Sequence, residues 1–162
     1  MVDETQILDY FAIQLVERMR NRGIKLWYMA YYCEIEECAL RKCLKGERLP
    51  NPWNLILMAE VLDCTINDLL GYEYFRKDDK PQAGSIFQGQ KQIVQHVSNE
   101  ILERMGRMNI SYDELANRVG VSVYTIKAWL SQNADSFYKK STFTILRICD
   151  ALDCTPSDIL GY

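Results

Sequence analysis

Hydrophobic side chains recur at helical spacing in a series of short segments. In residues 5–22 they fall at every third or fourth position: Ile7, Leu8, Phe11, Leu15, Val16 and Met19. This periodicity predicts an amphipathic helix. The same reading predicts an all-α chain with ten helices, at residues 5–22, 26–33, 36–45, 52–62, 66–71, 91–108, 112–118, 122–131, 142–152 and 156–161.

The hydrophobic pattern repeats within the chain. The triplet Glu17-Arg18-Met19 recurs 86 residues later as Glu103-Arg104-Met105, and LDCTINDLLGY (62–72) matches LDCTPSDILGY (152–162) at an offset of 90. The difference of four places an insertion around residues 133–140. Self-similarity of this kind indicates a duplication. We therefore expect two five-helix domains, at residues 1–73 and 91–162, joined by a charged and then Pro/Gly/Gln-rich linker at 74–90.

Residues 109–132 carry the clearest local signals. Ser111 is a predicted N-cap, and Glu114 three residues later would complete a capping box. Gly120 supplies a position for positive φ, and Ser122 is the predicted N-cap of the next helix. Small Ala116 stands where the two helices would cross. A capped helix, a tight turn and a second capped helix predict a helix-turn-helix.

These residues resemble the Cro/C1-type (XRE-like) helix-turn-helix of phage repressors. The resemblance implies two tandem lambda-repressor-like domains and double-stranded DNA as the partner. It also implies a transcriptional regulator, more often a repressor, that inserts the helix starting at Ser122 into a major groove.

The resemblance also assigns roles to residues of the second domain. Phosphate contacts fall on Ser111, Tyr112 and Ser122, although the family often has Gln at the position of Tyr112. The face that reads bases falls on Val123, Tyr124, Thr125, Lys127 and Ala128. Backbone contacts fall on Lys139 and Lys140.

The first domain departs from this pattern. Lys25 replaces the capping serine, Glu34 stands in place of Gly120, and the acidic pair Glu36 and Glu37 opens the third helix. Those acids suit the helix dipole but would face phosphates. A basic run follows, formed by Arg41, Lys42, Lys45 and Arg48. It either contacts DNA or forms a solvated face paired with Glu37 and Glu47.

Four aromatic residues cluster in the second helix of the first domain: Trp27, Tyr28, Tyr31 and Tyr32. Met29, Ala30 and Cys33 already occupy its inward positions, so several of the aromatics should point outward. An exposed cluster of this kind usually marks a contact surface. We expect a dimer or interdomain interface here; the alternative is packing against the linker or the first helix of the same domain.

The net charge of the whole chain argues against DNA binding as its function. The net charge is −3 at pH 7, whereas phosphate contacts need a local excess of Lys and Arg. The rival hypothesis is therefore a protein-interaction module, such as an anti-repressor or inhibitor, that keeps the fold without binding DNA. No apolar run is long enough to span a membrane and no signal sequence is evident, so a cytoplasmic location is expected.

The cysteines and the histidine do not indicate an enzyme. Cys33, Cys38 and Cys43 are spaced by five residues and cannot share one helix face, so no zinc site is predicted. Most cysteines are expected to be small buried hydrophobic residues, with Cys38 the one candidate for a reactive thiol. His96, the only histidine, has no catalytic partner at a suitable spacing. No catalytic residue, metal site or cofactor is predicted.

Overall fold

The structure, a computed structural model, describes residues 3–72, 89–131 and 140–162. These parts of the chain contain ten helices and no strand. Each lies within one residue of its predicted bounds at either end. The helices are α1 (Glu4–Arg22), α2 (Leu26–Tyr32), α3 (Glu37–Leu44), α4 (Pro52–Val61), α5 (Ile66–Leu70), α6 (Gln90–Met108), α7 (Tyr112–Val119), α8 (Val123–Leu130), α9 (Thr142–Ala151) and α10 (Pro156–Leu160).

Local capping explains where many of these helices begin and end. Thr65 and Thr155 each form a complete capping box, with Asp68 and Asp158 respectively, at the start of α5 and α10. Both helices end at a glycine in the left-handed region, where a side chain would be strained. The start of α4 is fixed by the Asn51 side chain, with Pro52 at the first helical position.

The N-terminal half, residues 3–72, is built around a core to which all five of its helices contribute. The largest buried side chains include Phe11 and Leu15 of α1, Met29 of α2, Leu40 of α3 and Leu55 of α4. Helix α1 packs against α3 and α5, α2 packs against α3 and α4, and α4 packs against α5. The same core cluster continues into buried residues of the C-terminal half.

The C-terminal half, residues 89–162 apart from 132–139, uses the same set of packing partners. Helix α6 packs against α8 and α10, and α7 packs against α8 and α9. Helix α9 packs against α10. Ile93, Ile101, Leu115, Ile126 and Ile145 are fully buried in this core. Five helix pairs thus recur in the same order along the chain.

The two halves contact each other through α5 and α10. The Asn67 backbone N–H donates to Ser157 Oγ at 3.0 Å, and the Ser157 N–H donates to Asn67 Oδ1 at 3.0 Å. The Ser157 hydroxyl donates to the Tyr162 carbonyl at 2.6 Å, and the Ile66 N–H donates to the same oxygen at 3.0 Å. Asn67 and Ser157 occupy matching places in the two similar segments, so the contact is nearly reciprocal.

Further contacts extend this junction on both sides. The Thr142 hydroxyl donates to the Pro50 carbonyl, and Arg147 forms an ion pair with Glu4. Burial raises the pKa of Tyr72 to about 12, with the nearby Asp150 carboxylate acting in the same direction. The junction therefore combines buried polar pairs with an ion pair at its exposed edge.

None of the described helices is long and apolar enough to cross a membrane. The predicted linker falls almost entirely on residues 73–88, outside the described parts of the chain.

Candidate nucleic-acid interface

The segment from Ser111 to Leu130 folds as two helices joined by a tight turn. Ser111 Oγ accepts from the Glu114 N–H at 3.2 Å, which fixes the start of α7. Gly120 ends that helix with φ of 77°, as its place in the sequence predicted. Ser122 Oγ then accepts from the Thr125 N–H at 3.2 Å and caps α8. The predicted capping box is incomplete, because the Glu114 carboxylate binds Arg118 at 2.6 Å instead.

Helix α8 is anchored to the core by two buried side chains and by a hydrogen bond at its C-terminal end. Ile126 and Trp129 are buried in the core. Ser98 of α6 donates from its hydroxyl to the Leu130 carbonyl at 3.0 Å, which occupies one of the free carbonyls at the C-terminus of α8. The helix is therefore anchored on one face along its length.

The opposite face of α8 is open to solvent. Tyr124 is the most exposed large hydrophobic residue of the described chain, at 82%. Lys127 is exposed on the same helix, one turn further along, while Val123, Thr125 and Ala128 are half-buried beside them. A hydroxyl, an ammonium and a methyl-bearing side chain on one face can contact base edges or phosphates in a major groove.

One of three comparisons with known proteins finds a match, and it covers this segment. Residues 100–162 match the Cro/C1-type HTH DNA-binding domain. The matched segment contains the capped α7–turn–α8 unit and both helices that follow it. No curated protein and no solved structure matches the chain.

Basic side chains around the α7–turn–α8 unit are partly neutralised. Arg118 binds Glu114, and Arg107 binds Glu103, each one turn apart on its own helix. Within the described residues no salt bridge involves Lys127. Lys127 is therefore the basic side chain of α8 itself, and it lies outside the salt bridges of the described residues.

Lys140 lies where a phosphate contact was predicted, but its ammonium points into the fold. Its Nζ donates to the Ala128 carbonyl at 2.7 Å and lies 4.8 Å from the centre of the Trp129 ring. Burial lowers the pKa of Lys140 to about 8. The side chain thus supports the C-terminal end of α8, and a direct phosphate contact by Lys140 is disfavoured by this geometry. Lys139 lies outside the described residues.

The turn between α2 and α3 in the N-terminal half is stabilised by side chains of α4 and contains no glycine. Glu34 adopts φ of 51° at the position that corresponds to Gly120 in the C-terminal half. Asn54 of α4 donates from its side-chain amide to the Cys33 and Glu34 carbonyls at 2.8 and 3.2 Å. Trp53 donates from Nε1 to the Glu34 carboxylate at 3.0 Å. These bonds hold a turn that a non-glycine residue adopts reluctantly.

Sequence reasoning did not assign a role to Asn54. A signal was present, because Asn54 is a polar residue inside the otherwise apolar run PWNLILMA. A buried polar side chain needs hydrogen-bond partners, and the carbonyls at the C-terminal end of α2, which have no partner within the helix, provide them.

The basic run of α3 is exposed, and one of its members is paired. Arg41 lies 3.7 Å from the Glu37 carboxylate, one turn earlier, as the solvated-face alternative predicted. Lys42, Lys45 and Arg48 are exposed. Glu36 and Glu37 stand at the N-terminus of α3, so the end of the helix that would approach DNA carries negative charge.

The four aromatic residues of α2 form one exposed patch. Their rings contact in sequence, Trp27 with Tyr28 at 5.9 Å, Tyr28 with Tyr32 at 4.4 Å and Tyr31 with Tyr32 at 5.2 Å between centres. Trp27 is 60% and Tyr31 74% exposed. The contact between the two halves lies elsewhere, at α5 and α10.

The cysteines follow the predicted pattern. Cys38 is exposed, and the other five are buried as free thiols. Burial raises the pKa of Cys33 to about 12 and that of Cys43 and Cys64 to about 11, which keeps these thiols protonated and unreactive. Among the described residues no group of three or more His, Cys, Asp or Glu side chains could hold a metal ion.

Proposed function

We propose that this protein is a sequence-specific double-stranded DNA-binding transcriptional regulator, a repressor, that reads the major groove with α8. The observation that carries the proposal is the open face of a capped, anchored helix within a segment that matches the Cro/C1-type family. In this proposal Tyr124 and Lys127 contact base edges. Val123 meets a thymine methyl, and Thr125 and Ala128 line the same face.

Phosphate contacts would flank this helix. Ser111, Tyr112 and Ser122 stand at the N-terminal ends of α7 and α8, where backbone N–H groups and the helix dipole favour an anion. Tyr112 is exposed and its phenol can donate to a phosphate oxygen. Lys139 completes the set as a backbone contact.

We further infer that the chain consists of two tandem copies of one domain, residues 1–73 and 91–162. Equivalent helices have the same length in four of the five pairs, and the same helix pairs pack in each half. Asp63 and Asp153, at matching positions, share a left-handed backbone conformation. A duplication accounts for these agreements together.

The two copies would have separate roles. Among the described residues, the second copy has a glycine turn and serine caps on both helices, whereas the first has Glu34 at the turn and no side-chain cap on α2 or α3. The first presents Glu36 and Glu37 at the start of α3, which disfavours phosphate. We therefore assign base reading to the second copy and leave Arg41, Lys42, Lys45 and Arg48 outside the reading face.

A matched pair of substitutions tests this assignment. Lys127 and Arg41 occupy equivalent positions 86 residues apart. We expect Lys127→Gln to weaken binding to a selected DNA site by about 1–3 kcal/mol, since removing a base contact has an effect of that size. Arg41→Gln should leave the affinity unchanged. Sites are obtained from DNA flanking the protein's own gene and from a random pool, and affinities are measured by fluorescence anisotropy.

Salt dependence separates this function from the rival one. A steep fall of log K with log salt concentration supports phosphate contacts. Absence of binding to any fragment would favour the anti-repressor or inhibitor hypothesis, to which the net charge of −3 lends support. Equal losses in Lys127→Gln and Arg41→Gln would contradict the division of roles between the copies.

A further inference from the structure

We propose that the exposed aromatic patch of α2, formed by Trp27, Tyr28, Tyr31 and Tyr32, is a homodimer interface in which α2 packs antiparallel against α2 of a second chain. This inference does not depend on DNA binding. A homodimer formed in this way would carry two copies of α8, and so two proposed DNA-reading helices, where a single chain has one.

The C-terminal half provides an internal reference for this surface. The positions 86 residues after the four aromatics are Asp113, Glu114, Asn117 and Arg118, all of them polar and exposed. Helix α7 folds and packs at the same place with those polar residues. The aromatic side chains of α2 are therefore not required by the fold, and their exposure has to be explained by what covers them.

The size of the patch fits a reversible dimer. Trp27 and Tyr31 are exposed at 60% and 74%, and Tyr28 and Tyr32 at 37% and 50%. With full areas of about 150–250 Å² for an aromatic side chain, the four rings expose on the order of 450 Å². Two copies would bury at most about 900 Å², which is below the roughly 1,000 Å² of stable specific interfaces and falls in the range of weak, transient ones. The dimer should accordingly be weak and concentration-dependent.

The shape of the surface suits self-association. A groove of about 460 Å³ lies at the N-terminal end of the patch, lined by apolar side chains of Ile24, Trp27, Tyr28 and Val61 and by the basic residues Arg22 and Lys25. Tyr31, the most exposed ring of the patch, lies at the opposite end. An antiparallel crossing of two α2 helices brings Tyr31 of each chain to the groove of the other. A two-fold interface requires this kind of self-complementarity.

Charge around the patch is also self-complementary. Lys25 stands at the N-terminal end of α2, whereas Glu34 and Glu36 follow its C-terminal end. All three are exposed. In an antiparallel pair the basic end of one chain meets the acidic end of the other, and in a parallel pair like charges would meet. The charges therefore favour the antiparallel arrangement.

Sedimentation velocity over a concentration series tests the interface. From about 5 µM to about 500 µM, a range suited to a micromolar dissociation constant, the wild-type mass should rise from 18.9 kDa towards twice that value. The double variant Trp27→Asp/Tyr31→Asn introduces the residues found at the matching positions of α7. It should remain at 18.9 kDa throughout, with an unchanged circular dichroism spectrum.

Two controls make the result specific. Tyr124→Asn removes a ring outside the patch that is more exposed than any ring within it, and this variant should dimerise like the wild type. Lys25→Glu and Glu36→Lys should each weaken dimerisation about three- to tenfold, and the double variant Lys25→Glu/Glu36→Lys should restore it, because exposed pairs contribute modestly and depend on sign.

Several outcomes would overturn the proposal. A wild-type mass of one chain at every concentration would exclude the homodimer. Dimerisation of Trp27→Asp/Tyr31→Asn as strong as that of the wild type would place the interface elsewhere. Failure of the charge-swapped double variant to recover would rule out the antiparallel arrangement.

Discussion

Lys140 shows how one side chain can take a different role from the one its position in the sequence predicts. A lysine before α9 was expected to meet phosphate, yet its ammonium donates to the Ala128 carbonyl and lies over the Trp129 ring. The interaction supports the free carbonyls at the end of α8, at the expense of partly desolvating the charge. The desolvation of the Lys140 ammonium should be visible in the pH dependence of the free energy of unfolding.

We predict that the stability of the wild type relative to Lys140→Met rises between about pH 8 and pH 10.5. The pKa of Lys140 is about 8 in the folded chain, below its usual value of 10.5. In this window the unfolded state binds more protons than the folded state, so raising the pH favours folding. Because the side chain is only half-buried, solvent screening reduces the effect, and about 1–2 kcal/mol is expected.

Urea unfolding of both proteins across this pH range checks the prediction. Tyr72 and the buried cysteines titrate in both proteins, so their contributions cancel in the difference. A flat difference would mean that the hydrogen bond to Ala128 and the Trp129 ring fully offset desolvation of the ammonium.

At the scale of the element, the α7–turn–α8 unit is governed by capping and by one glycine. Ser122 occupies the boundary between the turn and the helix that we propose reads DNA, and its Oγ accepts from the Thr125 N–H. Loss of this acceptor leaves an N-terminal N–H of α8 without its partner and lets the first turn fray. The start of α8 carries Val123, Tyr124 and Thr125, so fraying there would also disturb the proposed reading face.

We predict that Ser122→Ala destabilises the protein by about 1 kcal/mol, a typical effect of removing an N-cap. Ser141→Ala is the matched control, because Ser141 stands at the N-cap of α9 but makes no capping hydrogen bond with its side chain. Its unfolding free energy should change by less than about 0.5 kcal/mol. Equal effects of the two substitutions in urea unfolding would show that the Ser122 cap is energetically unimportant.

The helices themselves were largely predictable at this scale. All ten lie within one residue of the expected bounds, since capping residues, glycines and helical periodicity act within a few positions along the chain. The turn at Glu34 was only partly predictable. The glutamate in place of a glycine was visible in the sequence, whereas its support by Trp53 and Asn54 comes from α4, about 20 residues away.

At the scale of the whole molecule, the junction between α5 and α10 determines how the two halves are arranged. The Asn67–Ser157 pair is buried and reciprocal, and the Ser157 hydroxyl also donates to the Tyr162 carbonyl. Leaving such buried groups without a partner is expensive. These hydrogen bonds therefore fix how α5 lies against α10 within a hydrophobic core cluster that includes residues of both halves.

We predict that Ser157→Ala destabilises the chain by about 1–3 kcal/mol, because it leaves the buried Asn67 N–H without its acceptor. Thermal unfolding followed by circular dichroism measures the change. Ser141→Ala again serves as the control, as an exposed serine whose side chain makes no capping bond. A loss below about 0.5 kcal/mol in Ser157→Ala would indicate that water replaces the missing hydroxyl.

Much of the candidate site could be inferred from the sequence, because the Ser111, Gly120 and Ser122 signals lie within twelve residues and act locally. The exposure of Tyr124 and Lys127 followed from helical periodicity. The ion pairs that neutralise Arg118 and Arg107 lie at one-turn spacing and were accessible to the same reasoning. The placement of Lys140 was not, since it depends on how the chain returns to α8 after the predicted insertion.

The sequence by itself determined the all-helical fold, the bounds of the helices and the capped turn before α8, because caps, glycines and periodicity are properties of neighbouring residues. Only the tertiary structure decided which surfaces remain open. It covered α5 with α10, turned the Lys140 ammonium inward and left the aromatic face of α2 exposed. Those outcomes depend on contacts between residues far apart along the chain, such as Asn67 and Ser157, which no local pattern specifies.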